Sequence, residues 1–302
     1  MEFGKLDNVD GVDFTLPPDH PETTKLLASL KKKKGKAEIY IGCAKWGRPD
    51  WIGLLYPKKT KAADFLKNYV THFNSIELNA MFYQIFPRAT TEKWASYADD
   101  HFRFAPKMPQ IITHMKRLKN AESSTDQYLG SIEGFGEKLG HTFIQFDDRF
   151  GPNSQDVLRH YLEYLPKDFK ACVEFRQVDW FKESAVVHET FDMLRQHKIG
   201  TVITDASGRR DVLHMHLTTP VAFIRFVSNN MHPTDYPRMD EWADRMKLWL
   251  DSGIERIYFF MHSHEERNSP LLCKYVIDRL NKVAGTHIAP PNLIESSPSL
   301  FK

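Results

Sequence analysis

From residue 37 onward, short runs of β-branched and aromatic residues alternate with longer amphipathic stretches, and this alternation constrains the fold more than any other feature of the chain. It specifies strands joined in parallel by helical crossovers. The strand runs cover 39–43, 75–79, 102–107, 142–146, 171–175, 201–205, 221–226 and 256–261. Eight such runs across residues 37–284 match the about 250 residues of a TIM-like (β/α)8 barrel. A doubly wound open sheet would carry a Gly-rich first turn, and the chain has neither a GxGxxG nor a Walker sequence.

Helices are expected between these runs. One begins near Thr60, with Ala63, Leu66, Tyr69, Val70 and Phe73 on a single face, and others cover about 90–100, 123–139, 154–164, 184–197, 238–251 and 269–283. Thr60, Thr90, Asn153 and Ser269 are N-cap candidates. The weak unit follows the sixth strand, where Ala206-Ser207-Gly208-Arg209-Arg210 leaves little room for a helix before Val221. A degraded crossover is expected there. Residues 1–36 form an N-terminal arm with one helix from about 21 to 30 and a Lys-rich linker, residues 37–284 the barrel domain, and residues 285–302, with Pro290, Pro291 and Pro298, a tail lying on the surface or disordered.

The charge of +2 over 302 residues argues against a chain built mainly to coat nucleic acid. Cys43, Cys172 and Cys273 are far apart and show no CxxC spacing, as expected of reduced thiols in a cytoplasmic protein. No run approaches the ~20 apolar residues of a membrane span.

Active sites of such barrels lie at the C-terminal ends of the strands. Those ends read Cys43 with Trp46, Glu77 and Asn79, Lys107, Gln145, Glu174 and Arg176, Asp205, Arg225, and His262 with His264. Within a strand the polar residues keep one parity, Glu77 with Asn79 and Glu174 with Arg176, so they point to one side. Either they line a functional mouth or they form an ion-pair plug, for example Glu174 with Arg225 and Asp205 with Arg176. The position at the strand ends favours the mouth.

The series Ile41-Gly42-Cys43-Ala44-Lys45-Trp46, Phe73-Asn74-Ser75-Ile76-Glu77-Leu78-Asn79 with Phe82-Tyr83, Phe102-Phe104-Lys107 with Ile112-Thr113-His114, Phe143-Gln145-Phe146, and Val173-Glu174-Phe175-Arg176 with Trp180 resembles the motif series of the domain of unknown function 72 family, the YecE-like proteins. The resemblance spans about residues 38–283 and implies a TIM-barrel-like fold while leaving the reaction open. The chain departs from the family pattern at Cys43 and at Met261-His262.

Read as chemistry, the set points to acid/base work on an anionic or polyhydroxylated small molecule such as a sugar phosphate, glycan or nucleotide fragment, by a hydrolase or lyase-like enzyme. Glu174 is the expected catalyst and Glu77 its partner. Asn79, Gln145, Asp205, His262, Tyr83 and Trp46 are expected to contact the ligand, and Lys107, Arg176 and Arg225 to hold its anion. No cofactor and no resident metal are expected, because cations crowd the same strand ends and the two HxH sequences, at His214 and His262, lack a dense carboxylate set. A Schiff base through Lys107 would need an apolar pocket that the sequence does not reveal. A nuclease would need a basic surface, to which Lys116, Arg117, Lys119, Arg209 and Arg210 could contribute, and a non-catalytic ligand-binding protein would use the same mouth.

Overall fold

A computed structural model describes residues 4–30 and 37–294 of the chain. The Lys-rich linker and the last eight residues, two regions read from the sequence, lie outside the described residues. The elements run in the order α1 (Pro21–Ser29), β1 (Glu38–Cys43), α2 (Phe65–Tyr69), β2 (Ser75–Leu78), α3 (Ala80–Tyr83), α4 (Arg88–Ala95), β3 (Arg103–Pro106), α5 (Glu122–Ile132) and β4 (Thr142–Gln145). They continue with α6 (Gln155–Tyr164), β5 (Ala171–Glu174), α7 (Ala185–Gln196), β6 (Gly200–Asp205), β7 (Val221–Ser228), α8 (Asp235–Ser252), β8 (Arg256–Ser263) and α9 (Ser269–Ala284). Each strand run read from the sequence carries a strand.

The strands form a curled parallel sheet of six, in the order β1-β8-β7-β6-β5-β4, and a parallel pair, β2-β3. The chain is therefore an α/β fold with a half-barrel sheet, in place of eight strands in one hydrogen-bonded ladder. Local chemistry explains both breaks in the ladder. Between β1 and β2 the Asn74 amide takes the place of a strand edge, its Oδ1 accepting from Ile41 N at 2.9 Å and its Nδ2 donating to Ile39 O at 2.8 Å. The Tyr69 hydroxyl does the same one step on, accepting from Cys43 N at 2.8 Å and donating to Ser75 O at 2.9 Å. Only glycine fits opposite, since a Cβ on Gly42 would lie 2.0 Å from Ser75 O. Between β3 and β4 the contact narrows to isolated bridges, with Gly140 N donating to Phe104 O at 2.7 Å and Met108 N to Phe143 O at 3.0 Å.

The concave face is filled by Tyr40, Ala105, Phe143, Cys172, Val202, Phe223, Tyr258 and Phe260, drawn from both sheets, together with Val221. The convex faces meet the helices in a larger core that includes Ile41, Ile76, Phe104, Ile144, Val173, Ile203, Ile224 and Phe259. Alternate residues of each strand thus serve two cores, as period-two geometry requires.

The degraded crossover has an unexpected complement. Between β6 and β7 only one short helical turn, Arg210–Val212, forms, and the N-terminal arm lies against this connection. Thr23 Oγ1 donates to Met215 O at 2.9 Å and accepts from Leu217 N at 2.7 Å. Arg210 donates to Phe14 O and Thr15 O, both at 3.0 Å. Asp19 ties the arm to α8 through Arg245 at 2.6 Å and Trp249 at 3.0 Å. The arm is thus built into the domain and stands where the missing crossover helix would be. Of the tail, residues 285–294 also dock, with Ile294 N donating to Leu54 O at 2.8 Å.

Candidate functional site

One two-residue step beyond the concave core, the strands present their polar layer. Phe143 is followed by Gln145, Cys172 by Glu174, Val202 by Thr204, Phe223 by Arg225, Phe260 by His262 and Ala105 by Lys107. Glu77 enters this layer from β2, although β2 belongs to the other sheet.

Arg225 is the hub. Its Nε and Nη2 donate to the two Glu77 oxygens at 2.8 and 2.9 Å, and its Nη1 donates to Glu174 Oε2 at 2.9 Å. Glu77 also accepts from Asn79 Nδ2 at 2.8 Å and lies 3.1 Å from His262 Nε2. Glu174 Oε1 accepts from Arg176 Nε at 3.0 Å and Thr204 Oγ1 at 3.1 Å. All three central side chains are almost wholly buried, and such charges persist only when their hydrogen-bonding capacity is filled. Burial alone would raise both carboxylates, but their surroundings outweigh it: the Arg225 guanidinium, with the hydrogen bonds from Arg225 and His262, holds Glu77 well below the usual range. Arg176, Arg225 and Lys107 bring Glu174 down to about 2. Arg225 is driven the other way, since its two carboxylates outweigh the burial that would lower it.

Lys107 stands apart from this pairing. Its Nζ donates to Gln145 Oε1 at 2.9 Å, an oxygen that also accepts from Arg176 Nη2 at 2.8 Å. The ammonium sits 4.0 Å over the Phe82 ring and 5.5 Å from that of Phe143, and forms no ion pair with a carboxylate among the described residues. Burial, helped by the Arg225 charge, pushes Lys107 down to about 7. The apolar surroundings that the sequence did not reveal are thus present. Phe82 reaches this place because a one-turn helix, α3, follows Asn79. His114, on the π-helical turn Ile111–Met115, packs its ring edge-on to Phe82 at 4.9 Å. Burial and the Lys107 charge lower it to about 4.

The other expected site residues separate from this cluster. Asp205 follows Thr204 and so faces outward, where it accepts from Arg238 at 2.7 Å, from Trp242 Nε1 at 2.7 Å and from Arg210. The pairing of Asp205 with Arg176 is corrected on that ground, whereas the pairing of Glu174 with Arg225 forms. Trp46 packs edge-on to Trp94 at 5.2 Å. Tyr83 is 73% exposed and touches the edge of Phe82. Cys43 also faces outward, 3.7 Å from the Cys273 sulfur of α9, and burial raises its thiol well above the ordinary value. Arg209 and Arg210, read as part of a basic surface, turn inward to Arg176 O, Asp211 and Asp205.

A family model described as "Protein of unknown function DUF72" matches residues 40–294. The chain belongs to the DUF72 family. It is 25% identical over 281 residues to UPF0759 protein YecE of Escherichia coli K12, covering 87% of this chain and all of that protein. Over 150 residues it is 31% identical to UPF0759 protein YunF of Bacillus subtilis, covering 47% of this chain and 52% of that one. Crystal structures of DUF72 family proteins from Enterococcus faecalis and Thermotoga maritima superpose with TM-scores of 0.65 and 0.62 at 16% and 24% identity. They cover 83% and 82% of this chain and 99% of each of those. These structures are similar in fold.

Within this DUF72 chain, sequence reasoning left Thr204, Phe82 and His114 out of the site. Thr204 was legible: it shares the inward parity of Val202, and choosing the charged neighbour Asp205 broke the rule that worked on the other strands. Phe82 and His114 reach the mouth from short helical turns after the strands, whose direction no periodicity specifies.

Proposed function

We propose that the mouth of this fold is a proton-transfer site for an anionic or polyhydroxylated small molecule, of the sugar phosphate, glycan or nucleotide-fragment kind, and that Lys107 is its acid/base group. A single observation carries the reading: a buried lysine at about 7, held by an amide oxygen and a ring face, in no direct ion pair with a carboxylate among the described residues. Such a group exists near neutrality in both protonation states, which is what general acid/base catalysis requires. Glu77 and Glu174 do not match that requirement, because both are stabilised as anions and their oxygens are already occupied. They serve as positioning residues. Their two negative charges offset Arg225 and Arg176, so Lys107 gives the cluster a net charge between zero and +1, suited to an anion. Arg176, with 15% of its side chain exposed, is the cation closest to solvent in the group and would meet that anion first.

We propose in addition that the six-stranded sheet and the β2-β3 pair are arcs of one closed eight-stranded ring. Support comes from the Asn74 and Tyr69 links, the β3-β4 bridges and the shared concave core. A cytoplasmic setting is part of the same proposal, supported by three free, buried cysteines.

The test is chemical. Amine acylation of the full chain followed across pH 5–11, with peptide mass spectrometry, should give Lys107 an apparent pKa near 7, and Lys107→Met should abolish turnover of the active member of a panel of sugar phosphates, aryl glycosides and nucleotides. Acylation of Lys107 with an ordinary lysine profile, or turnover indifferent to Lys107→Met, would sink the reading.

A further inference from the structure

The N-terminal arm does more than replace a helix. Where it meets α7 and the β6-β7 connection, His20 and Glu22 help to line an open cavity of about 390 Å³, on the outside of the sheet and separate from the mouth. That volume lies in the range of small-molecule sites, roughly 300–1,000 Å³. We propose that this cavity is a binding site for a small aromatic cation.

Two features of the wall support this. The first is aromatic lining: Trp180, Phe181 and Phe191 face the cavity, and behind them His216 is stacked between His20 of the arm, at 4.0 Å and 6°, and Phe191 of α7, at 4.3 Å and 9°. Phe181 lies parallel to His214 at 5.0 Å and 7°. Aromatic side chains lining a cavity favour a planar ring by contact and a cation by its attraction to a π face.

The second is charge. The wall carries Glu22, Glu183, Asp192 and Asp211 against Lys182 and Arg195. Arg195 is shared between Asp192 and Glu22, and Lys182 turns away to Asp179. Asp211 is met by Arg209, while Glu183 meets only His188, at 2.7 Å, among the described residues. The inner imidazoles add no positive charge near neutrality, because burial lowers His20, brings His214 to about 4 and His216 to about 2. A protonated amine attached to a ring would place the ring against the aromatic wall and its charge at Glu183.

His20 and Glu22 precede residue 40, where the family match begins. The site therefore depends on the arm of this chain, and a ligand there would tie the arm to the barrel.

Isothermal titration of the full chain with tryptamine and with indole-3-acetate, two ligands alike in ring and opposite in charge, tests the proposal. Tryptamine should bind with submillimolar affinity and indole-3-acetate at least tenfold more weakly. Glu183→Gln should weaken tryptamine at least tenfold while circular dichroism is unchanged, and Lys107→Met should leave tryptamine binding intact. Absence of tryptamine binding, equal binding of both ligands, indifference to Glu183→Gln, or loss of binding in Lys107→Met would each overturn it.

Discussion

Arg225 shows how one side chain can hold a polar layer inside an apolar fold. Five N–H groups in a rigid fork let a single guanidinium serve both Glu77 and Glu174, and neither carboxylate could be buried without it. Removing one member of such a set is far worse than never having built it, costing about 3–5 kcal/mol, because the partners remain as uncompensated buried charges. Arg225→Met should therefore lower the unfolding free energy by about that amount in urea titrations, whereas Lys107→Met, which removes an ammonium disfavoured by burial, should cost little. Equal urea midpoints for Arg225→Met and the parent chain would show that the network is not held as described. For the same reason loss of activity in Arg225 variants cannot by itself identify a catalyst, and Lys107 is the informative position.

At the scale of the element, the arm and the β6-β7 connection complete one another. A crossover too short to make a helix leaves the convex face of β6 and β7 to be covered by another segment, and α1 with the residues before it provides that cover. Thr23 is the joint, since its hydroxyl satisfies Met215 O and Leu217 N together. The isosteric Thr23→Val strands Leu217 N, at about 1–3 kcal/mol, while Met215 O keeps the bond it accepts from His20 N at 3.2 Å. The expected result is a lowered urea midpoint with amide exchange accelerated chiefly over residues 206–220 and in the arm. Unchanged exchange in that stretch would mean that the arm rests on the barrel without stabilising it.

At the scale of the whole molecule, the buried carboxylates set the acid limit of stability. Glu77 and Glu174 are held below their unfolded values of about 4.5, so the unfolded chain binds protons more readily as the pH falls through that range. The Glu174 contribution is present in full above about pH 5 and disappears progressively between pH 4.5 and about 2, and Glu77 acts in the same direction. Unfolding free energy should fall steeply over that window, and carboxyl carbon NMR should find Glu174 still ionised at pH 3 and Glu77 titrating below the ordinary glutamate range. All glutamates titrating near 4.5 would contradict the paired geometry. Lys107 adds a term of the same slope on the alkaline side: its lowered value disfavours the folded state in full below about pH 7, and stability recovers from that term as the pH rises toward 10.5.

The alternation of strand and helix, the eight strand positions, the weak sixth crossover and the inward parity of Glu77, Lys107, Gln145, Glu174, Arg225 and His262 were all legible in the sequence. These are local properties, carried by side-chain period and turn chemistry. The tertiary structure alone decided that Asn74 and Tyr69 interrupt the ladder, that the arm fills the gap beside β6, and that Asp205 turns to α8. It also decided which ionisable group is poised near neutrality. A pKa depends on burial and on neighbours far apart in the chain, and here those distances separate a saturated pair of glutamates from the lysine beside them.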